Sequence, residues 1–203
     1  SYRLVCASNA NRVLTDFLET GLYDRRREFY KTSSPSMDIL VSSNLERLLY
    51  YASGCDAENV RNNMLRLQSS GYYKISAGEL RRIQEDFAAY CCSEEETDSS
   101  IRRCFEETGY LPDTHTAVAL HAARQYREKE ESGRQLVVLS TASPFKFPAA
   151  VLAALGEKSE GDAFEQMEKL ARISGLAVPQ ALDGLREREI LHRDVIEKSE
   201  IAS

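Results

Sequence analysis

The amino-acid sequence predicts an α/β fold that is rich in helix, with an incomplete parallel sheet flanked by helices. Its opening run, Leu4 to Ala7, is apolar and passes through a short turn directly into an amphipathic helical pattern. A second run, Leu136 to Leu139, is continuously apolar, which is typical of strands buried on both faces of a parallel sheet. Only two or three strands are visible along the chain, fewer than a complete doubly wound sheet holds. This shortage indicates that the chain supplies only part of a sheet.

The first half of the chain is predicted to be a strand followed by a series of helices. Residues 11–20 place four apolar side chains on one helical face, and Gly21 ends that helix. Another helix is predicted over residues 58–69, whereas residues 87–92 fit either a strand or the tail of the preceding helix. Capping boxes of the form Ser-x-x-Glu predict three further helix starts, which lie at Ser43–Glu46, Ser76–Glu79 and Ser93–Glu96.

The second half alternates helices with the second apolar run. Asp113-Thr114-His115-Thr116 is an N-cap cluster that predicts a helix running to about residue 131. After the strand predicted at residues 136–139, Ser143 is a suitable N-cap and Pro144 suits the first helical position. A further helix is predicted over residues 162–174, and a charged tail closes the chain.

Composition limits the classes of function. Hydrophobic residues make up 42% of the 203 residues and charged residues 29%, as in globular proteins. No apolar run is long enough to cross a bilayer and Ser1 to Cys6 is not a signal peptide, so we expect no membrane partner and a cytoplasmic protein. The net charge of −6 argues against a nucleic-acid partner. The one dense basic cluster, Arg25-Arg26-Arg27, is flanked by Asp24 and Glu28, and we expect it to form a solvated turn.

The five cysteines and three histidines form no recognisable metal-binding pattern. Cys91 and Cys92 are adjacent, and no Cys-x-x-Cys pair or Cys/His spacing suggests zinc, so we predict no metal site. We expect free thiols, with Cys6 serving as a small core residue. His121 lies in an alanine-rich helix and His192 in the charged tail, and the sequence identifies a partner for neither.

Thr141 is a candidate binding residue. It follows the predicted strand at residues 136–139, and α/β sheets bind ligands at the carboxyl ends of their strands. A hydroxyl there can hydrogen-bond a ring nitrogen without placing a charge beside it. The alternative is that Thr141 only helps to cap the following helix, and the residues alone favour this second interpretation.

His115 is a second candidate, because it stands beside Asp113 at a helix start. Such an arrangement can orient an imidazole for proton transfer. The alternative, which is the more common one, is that Asp113 caps the helix and His115 packs against the loop. Neither a Ser–His–Asp order nor a glycine-rich phosphate loop stands out in the chain.

Several segments of the chain resemble the threonine synthase family. Residues 36–49, SMDILVSSNLERLL, are similar to the segment that leads into the family's small-domain helices. Residues 113–119, DTHTAVA, resemble its D-x-H-T-A-V helix start, and residues 139–147, LSTASPFKF, resemble its S-T-A-H-P-A-K-F motif. Residues 4–17 fit the strand and helix that follow the family's glycine-rich loop. Together the matches run in the family's order over nearly the whole chain.

The resemblance implies that residues 1–203 are the C-terminal portion of a fold-type II pyridoxal-phosphate enzyme. Residues 1–35 and about 111–155 would belong to the cofactor-binding α/β domain, residues 36–110 would form a mostly helical segment, and residues 156–203 a helical C-terminal tail. The implied activity is that of a carbon–oxygen lyase. It converts O-phospho-L-homoserine and water into L-threonine and phosphate, with the pyridoxal phosphate acting as an electron sink.

The resemblance also changes the interpretation of Thr141. This residue falls on the family's hydroxyl residue that faces the pyridine nitrogen, so the resemblance favours cofactor binding over helix capping. Ser143 stands where the motif usually has histidine, and Lys146 belongs to the same motif, where a structural role is expected for it. The other lysines do not lie in a context like the family's Schiff-base motif; they are Lys31, Lys74, Lys129, Lys158, Lys169 and Lys198.

The expected site is therefore incomplete in this chain. We expect the Schiff-base lysine and the phosphate-binding glycine loop upstream of Ser1, no catalytic residue within the chain, and no activity of the chain alone. The N-terminal part of the same enzyme would then be its partner, docking on an exposed apolar edge. The alternative is a non-catalytic interaction or regulatory module that is derived from the enzyme's C-terminal half.

Overall fold

The computed structural model describes residues 2–130 and 133–197, which form four β-strands and eight α-helices. In chain order these are β1 (Leu4–Ser8), α1 (Val13–Thr20), β2 (Leu22–Asp24), α2 (Leu45–Ala52), α3 (Ala57–Ser70), β3 (Tyr72–Lys74), α4 (Ala77–Asp86), β4 (Phe87–Cys91), α5 (Glu94–Thr108), α6 (Thr114–Lys129), α7 (Pro148–Ala154) and α8 (Ala163–Ser174). The predicted helix-rich α/β class with a small parallel sheet is confirmed. In the described ranges, no helix combines the length and the hydrophobicity that crossing a membrane requires.

Strands β1 and β4 form a parallel pair that runs in register from Leu4 opposite Phe87 to Ser8 opposite Cys91. The ambiguous stretch at residues 87–92 is thus a strand, because the backbone turns extended at Phe87, where α4 ends. Helices α1 and α6 pack against both strands. Since parallel strands run in the same direction, Ser8 and Cys91 end at the same edge of the pair, which we call the carboxyl edge.

Strands β2 and β3 form a second, antiparallel pair that the sequence did not predict, with Tyr23 opposite Tyr73. Each strand has only three residues, which is too short for a recognisable alternation. Gly21 and Gly71 end α1 and α3 in the left-handed conformation, at φ values of 73° and 81°, and turn the chain into these strands. The two tyrosine rings stack with centroids 5.3 Å apart, and Phe17 meets Tyr23 edge-on.

The strand predicted at residues 136–139 is wrong, because residues 133–140 form neither strand nor helix. Leu136 packs near Tyr90 and Tyr126, but Val137 is 79% exposed and Leu139 is 75% exposed. The physical reason is that a strand needs a hydrogen-bonded neighbour, and the described part of the chain offers this run none. Within the described residues, this run is therefore an exposed apolar segment and not a sheet edge.

The helix starts were predicted with mixed success. Capping boxes open α4 at Ser76 and α5 at Ser93, as predicted. The one predicted at Ser43 is wrong, because α2 begins after Asn44 without a side-chain cap. Ser143 does cap, since its Oγ accepts a hydrogen bond from the Phe145 N–H at 3.3 Å, but it opens a 3-10 turn that precedes α7.

The end of the chain is less helical than predicted. Within the tail at residues 156–203, α8 ends at Ser174, and the described residues beyond it contain only a 3-10 turn at Leu185–Glu187. All side chains from residue 183 to residue 197 are exposed. A short helix needs a packed face to be stable, and none of the described residues 183–197 has a buried side chain. Residues 198–203 lie outside the described residues.

Two main hydrophobic clusters hold these elements together. The first lies among α1–α4 and the antiparallel pair; its most buried members are Val13, Phe17, Tyr23, Leu49, Tyr73 and Ile83. The second lies among α5–α8; its most buried members are Ile101, Ala117, Val151, Leu152, Ala154 and Leu170. Elements of both clusters flank the carboxyl edge, because α1 belongs to the first and α6 to the second.

Candidate functional site

The carboxyl edge begins with a buried asparagine. Asn9 follows β1 directly and is fully buried. Its Nδ2 donates hydrogen bonds to Thr32 Oγ1 at 2.8 Å and to Asp38 Oδ1 at 2.8 Å, and it lies 3.0 Å from Ser34 Oγ. Its Oδ1 accepts a hydrogen bond from the Asn11 N–H at 3.0 Å. One amide thus fastens the loop at residues 30–38 to the end of β1.

The same loop is organised from within by Asp38. Its Oδ1 accepts a hydrogen bond from Thr32 Oγ1 at 2.7 Å, and its Oδ2 accepts one from the Thr32 N–H at 2.9 Å. Asn11 Nδ2 donates to Asp38 Oδ1 at 3.0 Å and to the Tyr30 carbonyl at 2.8 Å. Because the donors come from the turn after β1 and from the loop itself, the carboxylate fixes the loop against the edge of the sheet.

The end of β4 reaches the same loop through Glu94, the first residue of α5. The Ser33 N–H donates a hydrogen bond to Glu94 Oε2 at 2.8 Å. One further atom of each residue, Ser33 Oγ and Glu94 Oε1, is buried and has no hydrogen-bond partner within the described ranges. Buried polar atoms normally have hydrogen-bond partners, so each of these two atoms is available to a ligand or to another part of the protein.

His115 closes the network from the side of α6. Its Nδ1 lies 3.0 Å from Oδ1 of the fully buried Asp113, and its Nε2 accepts a hydrogen bond from the Ser36 N–H at 3.1 Å. Because a backbone N–H can only donate, Nε2 carries the lone pair and the imidazole proton is on Nδ1, facing Asp113. Both ring nitrogens are therefore engaged. The geometry supports the packing alternative for His115 and leaves it no nitrogen free for proton transfer.

The residue before Thr141 joins the network, whereas Thr141 itself stays free. Ser140 Oγ lies 2.8 Å from the Tyr110 hydroxyl and 3.4 Å from Oγ1 of Thr116, which also donates to Asp113. Thr141 is exposed and makes no hydrogen bond to any residue that the structure describes. The hydroxyl that caps the next turn belongs to Ser143, so the capping alternative for Thr141 has no support in the geometry.

Other groups considered in the sequence lie away from this network. The Arg26 guanidinium beside Asp24 lowers the pKa of that carboxyl to about 2, so the basic cluster is partly neutralised within its own turn. Cys6 lies within β1, and burial raises the pKa of its thiol, which suits a core residue. His192 is exposed in the tail. His121 on α6 contacts Gln125 and Glu96, and none of these three side chains belongs to this network.

Sequence reasoning missed Asn9, Asp38 and Glu94. A signal for Asn9 was present, because a polar residue directly after a buried strand stands where parallel sheets bind ligands. Asp38 and Glu94 carried no such signal. Their roles depend on the path of the loop at residues 30–38, which no local pattern reports.

Comparison with known proteins agrees with these motifs. The family model described as threonine synthase, C-terminal, matches residues 116–200. The protein named threonine synthase-like 1 from Pongo abelii is 41% identical over 154 residues, which cover 75% of this chain and 20% of that protein. The chain thus spans about a fifth of the length of this relative.

Two solved structures are also similar. The crystal structure of pyridoxal-phosphate-bound threonine synthase from Brucella melitensis has 41% identity and a TM-score of 0.72, and the match covers 82% of this chain and 35% of that one. The crystal structure of threonine synthase from yeast has 32% identity and a TM-score of 0.77, and the match covers 92% of this chain and 38% of the yeast chain. The motifs, the family model and these structures agree, and the chain belongs to the threonine synthase family.

Proposed function

We propose that the chain is the C-terminal part of a threonine synthase whose complete form converts O-phospho-L-homoserine and water into L-threonine and phosphate. The observation that carries the proposal is the polar network at the carboxyl edge, which joins Asn9, Asp38, Glu94 and His115. Open α/β sheets bind their ligands at this edge. The proposed reaction is supported by the chain's membership of the threonine synthase family. The proposed cofactor is supported by the pyridoxal phosphate bound to the Brucella melitensis enzyme.

The residues at this edge fit part of a pyridoxal-phosphate site. Thr141 presents a hydroxyl that has no hydrogen-bond partner among the described residues. A neutral hydroxyl can form a hydrogen bond with the ring nitrogen of the cofactor without adding the negative charge that would keep this nitrogen protonated. Ser33 Oγ and Glu94 Oε1 are buried polar atoms in need of partners. When bound, the cofactor supplies an electron sink for proton removal and phosphate expulsion.

The chain's own residues act by positioning. Asn9 and Asp38 hold the loop at residues 30–38 against the sheet, and neutral His115 anchors the loop through the Ser36 N–H. A loop fixed by buried hydrogen bonds presents its polar groups in one arrangement, which is what orienting a substrate requires. Residues 1–35 and about 111–155, which supply most of this network, are accordingly proposed as part of the cofactor-binding domain.

The Schiff-base lysine is proposed to lie in another part of the complete protein. Lys146, which follows the Thr141 motif, is exposed, and its Nζ lies 5.8 Å from the centroid of the Phe147 ring, in keeping with a structural role. The exposed apolar side chains of Leu4, Val137 and Leu139 are proposed as the surface that the remaining part covers. The chain alone is then inactive.

The test compares the complete protein that contains this sequence with the 203-residue chain. Both are supplied with pyridoxal phosphate and O-phospho-L-homoserine, and threonine and released phosphate are measured. We expect both products in equal amounts from the complete protein and neither from the chain. If the complete, cofactor-loaded protein forms no threonine, the proposal fails, and a non-catalytic module becomes the better interpretation.

A further inference from the structure

A second cluster of side chains lies where the end of β4 meets α5 and α6. Cys92 follows β4 directly and is buried, Glu96 is in the first turn of α5, and His121 is on α6. The Cys92 sulfur, a Glu96 carboxylate oxygen and a His121 ring nitrogen all lie within 4.8 Å of one another. No local pattern in the sequence predicts this cluster, because its members come from separate elements that meet only in the folded chain.

The side chains of Glu96 and His121 already lie close together. Glu96 Oε2 accepts the Ser93 N–H at 2.8 Å in the capping box, which fixes the carboxylate and leaves Oε1 at 3.4 Å from His121 Nε2. The Gln125 amide nitrogen lies 2.6 Å from the same Nε2 and 3.1 Å from the Cys91 carbonyl oxygen. With this amide as the donor, His121 Nε2 carries its lone pair and is in the form that binds metals.

We propose that Cys92, Glu96 and His121 bind a zinc ion. Thiolate, imidazole and carboxylate are the ligand types that zinc takes in proteins. With Zn–S near 2.3 Å and Zn–N near 2.0 Å, a tetrahedral site holds its ligand atoms about 3.5 Å apart. The Glu96–His121 separation of 3.4 Å already meets this value. The Cys92 sulfur lies within 4.8 Å of the other two ligand atoms, so it has to approach by about 1.3 Å at most, and it releases its thiol proton to solvent as it binds.

An ion can reach the cluster from solvent. A surface cavity of about 290 Å³ opens between α5 and α6, and Glu96, His121 and Gln125 all line it. The cavity leaves room for a water molecule as the fourth ligand. The Gln125 amide, which lies 2.6 Å from Nε2, can turn aside into the same space. The Ser93 hydrogen bond to Glu96 would persist and keep the ligating carboxylate in place.

Zinc at this point would tie three elements together. Cys92 is bound to β1 through the hydrogen bond from its N–H to the Ser8 carbonyl at 2.9 Å. A metal that bridges Cys92, Glu96 and His121 would therefore lock α5 and α6 to the carboxyl edge of the sheet. The cluster shares no side chain with the network that holds Asn9, Asp38 and His115, so its test does not depend on the proposed reaction.

The test is a cobalt titration of the 203-residue chain, since Co²⁺ reports on zinc sites by its spectrum. We expect one equivalent to bind, with the visible bands of a tetrahedral site and a thiolate-to-cobalt charge-transfer band, and Zn²⁺ to displace it. Cys92→Ser should abolish the charge-transfer band, and His121→Gln should weaken binding about tenfold or more. The matched control is Cys104→Ser, another buried cysteine that lies outside the cluster; this variant should bind like the wild type.

Circular dichroism of each variant without metal separates loss of the site from loss of the fold. If Cys92→Ser does not fold, the partly exposed His121 and Glu96 supply the comparison, through His121→Gln and Glu96→Gln. The proposal is overturned if the wild type binds no cobalt, if the bound cobalt shows no thiolate band, or if the folded variants of the cluster keep wild-type affinity.

Discussion

At the scale of single residues, the free hydroxyl of Thr141 leads to a direct prediction. In the complete, cofactor-loaded protein, Thr141→Val keeps the shape of the side chain but removes the partner proposed for the ring nitrogen of the cofactor, at a cost of about 1–3 kcal/mol. We expect weaker retention of pyridoxal phosphate and slower turnover, and a much milder effect for Thr141→Ser. Cofactor dissociation and threonine formation are the measurements, and wild-type behaviour of the valine variant would remove Thr141 from the site.

His115 leads to a prediction about stability. His115→Ala removes the acceptor of the Ser36 N–H and the partner of the buried Asp113, so we expect the chain to lose about 1–3 kcal/mol of unfolding free energy. His192→Ala is the control; because His192 is exposed in the tail, its loss should change stability by about 0.5 kcal/mol or less. Urea unfolding measures both variants. Unchanged stability of His115→Ala, together with lost turnover in the complete protein, would favour the proton-transfer role instead.

At the scale of elements, two identical sequence signatures have different structural outcomes. Ser76 and Ser43 both precede a glutamate by three residues, but only Ser76 caps its helix, with its Oγ accepting the Glu79 N–H at 3.2 Å. Ser76→Ala should therefore destabilise the chain by about 1 kcal/mol. The exposed Ser43 makes no cap bond, so Ser43→Ala should change stability by about 0.5 kcal/mol or less. Equal shifts in the urea midpoint would contradict this difference.

Helices were predictable here where their signals are local. Asp113, Ser93 and Asp162 each cap a helix through a backbone N–H two or three residues away, and such a signal is complete within the sequence window. The run at residues 136–139 shows the opposite case. Its composition is that of a buried strand, but whether it pairs depends on a neighbour that the described chain does not supply.

The candidate site was predicted only in part for the same reason. Thr141 and His115 stood out because each follows a readable local pattern, a strand-like run or an N-cap cluster. The contact of Ser33 with Glu94 spans two distant segments, and so does the approach of Cys92 to His121. Contacts of this kind arise from the crossing of elements, so a single sequence does not reveal them.

At the scale of the whole molecule, the proposal that the Schiff-base lysine lies outside this chain predicts where the cofactor attaches. Borohydride reduction of the complete protein with pyridoxal phosphate should label a single lysine outside these 203 residues. The same treatment of the chain alone should give no specific label, because none of its lysines is surrounded by a sequence that resembles the family's Schiff-base motif. Peptide mapping by mass spectrometry distinguishes the two cases. Stoichiometric labelling of one lysine within the chain would contradict the proposed position of the Schiff-base lysine.

The pairing of β1 with β4 also constrains the order in which the chain folds. Leu4 pairs with Phe87, so within the described residues β1 meets its partner strand only after four helices have followed it. Joining segments so far apart costs loop-closure entropy, and such non-local parallel pairing is slow compared with local contacts. Units such as α1 with β2 and α3 with β3 can form first, because their members are neighbours in the chain. During synthesis, Asn9 would leave the ribosome long before the edge that it belongs to exists.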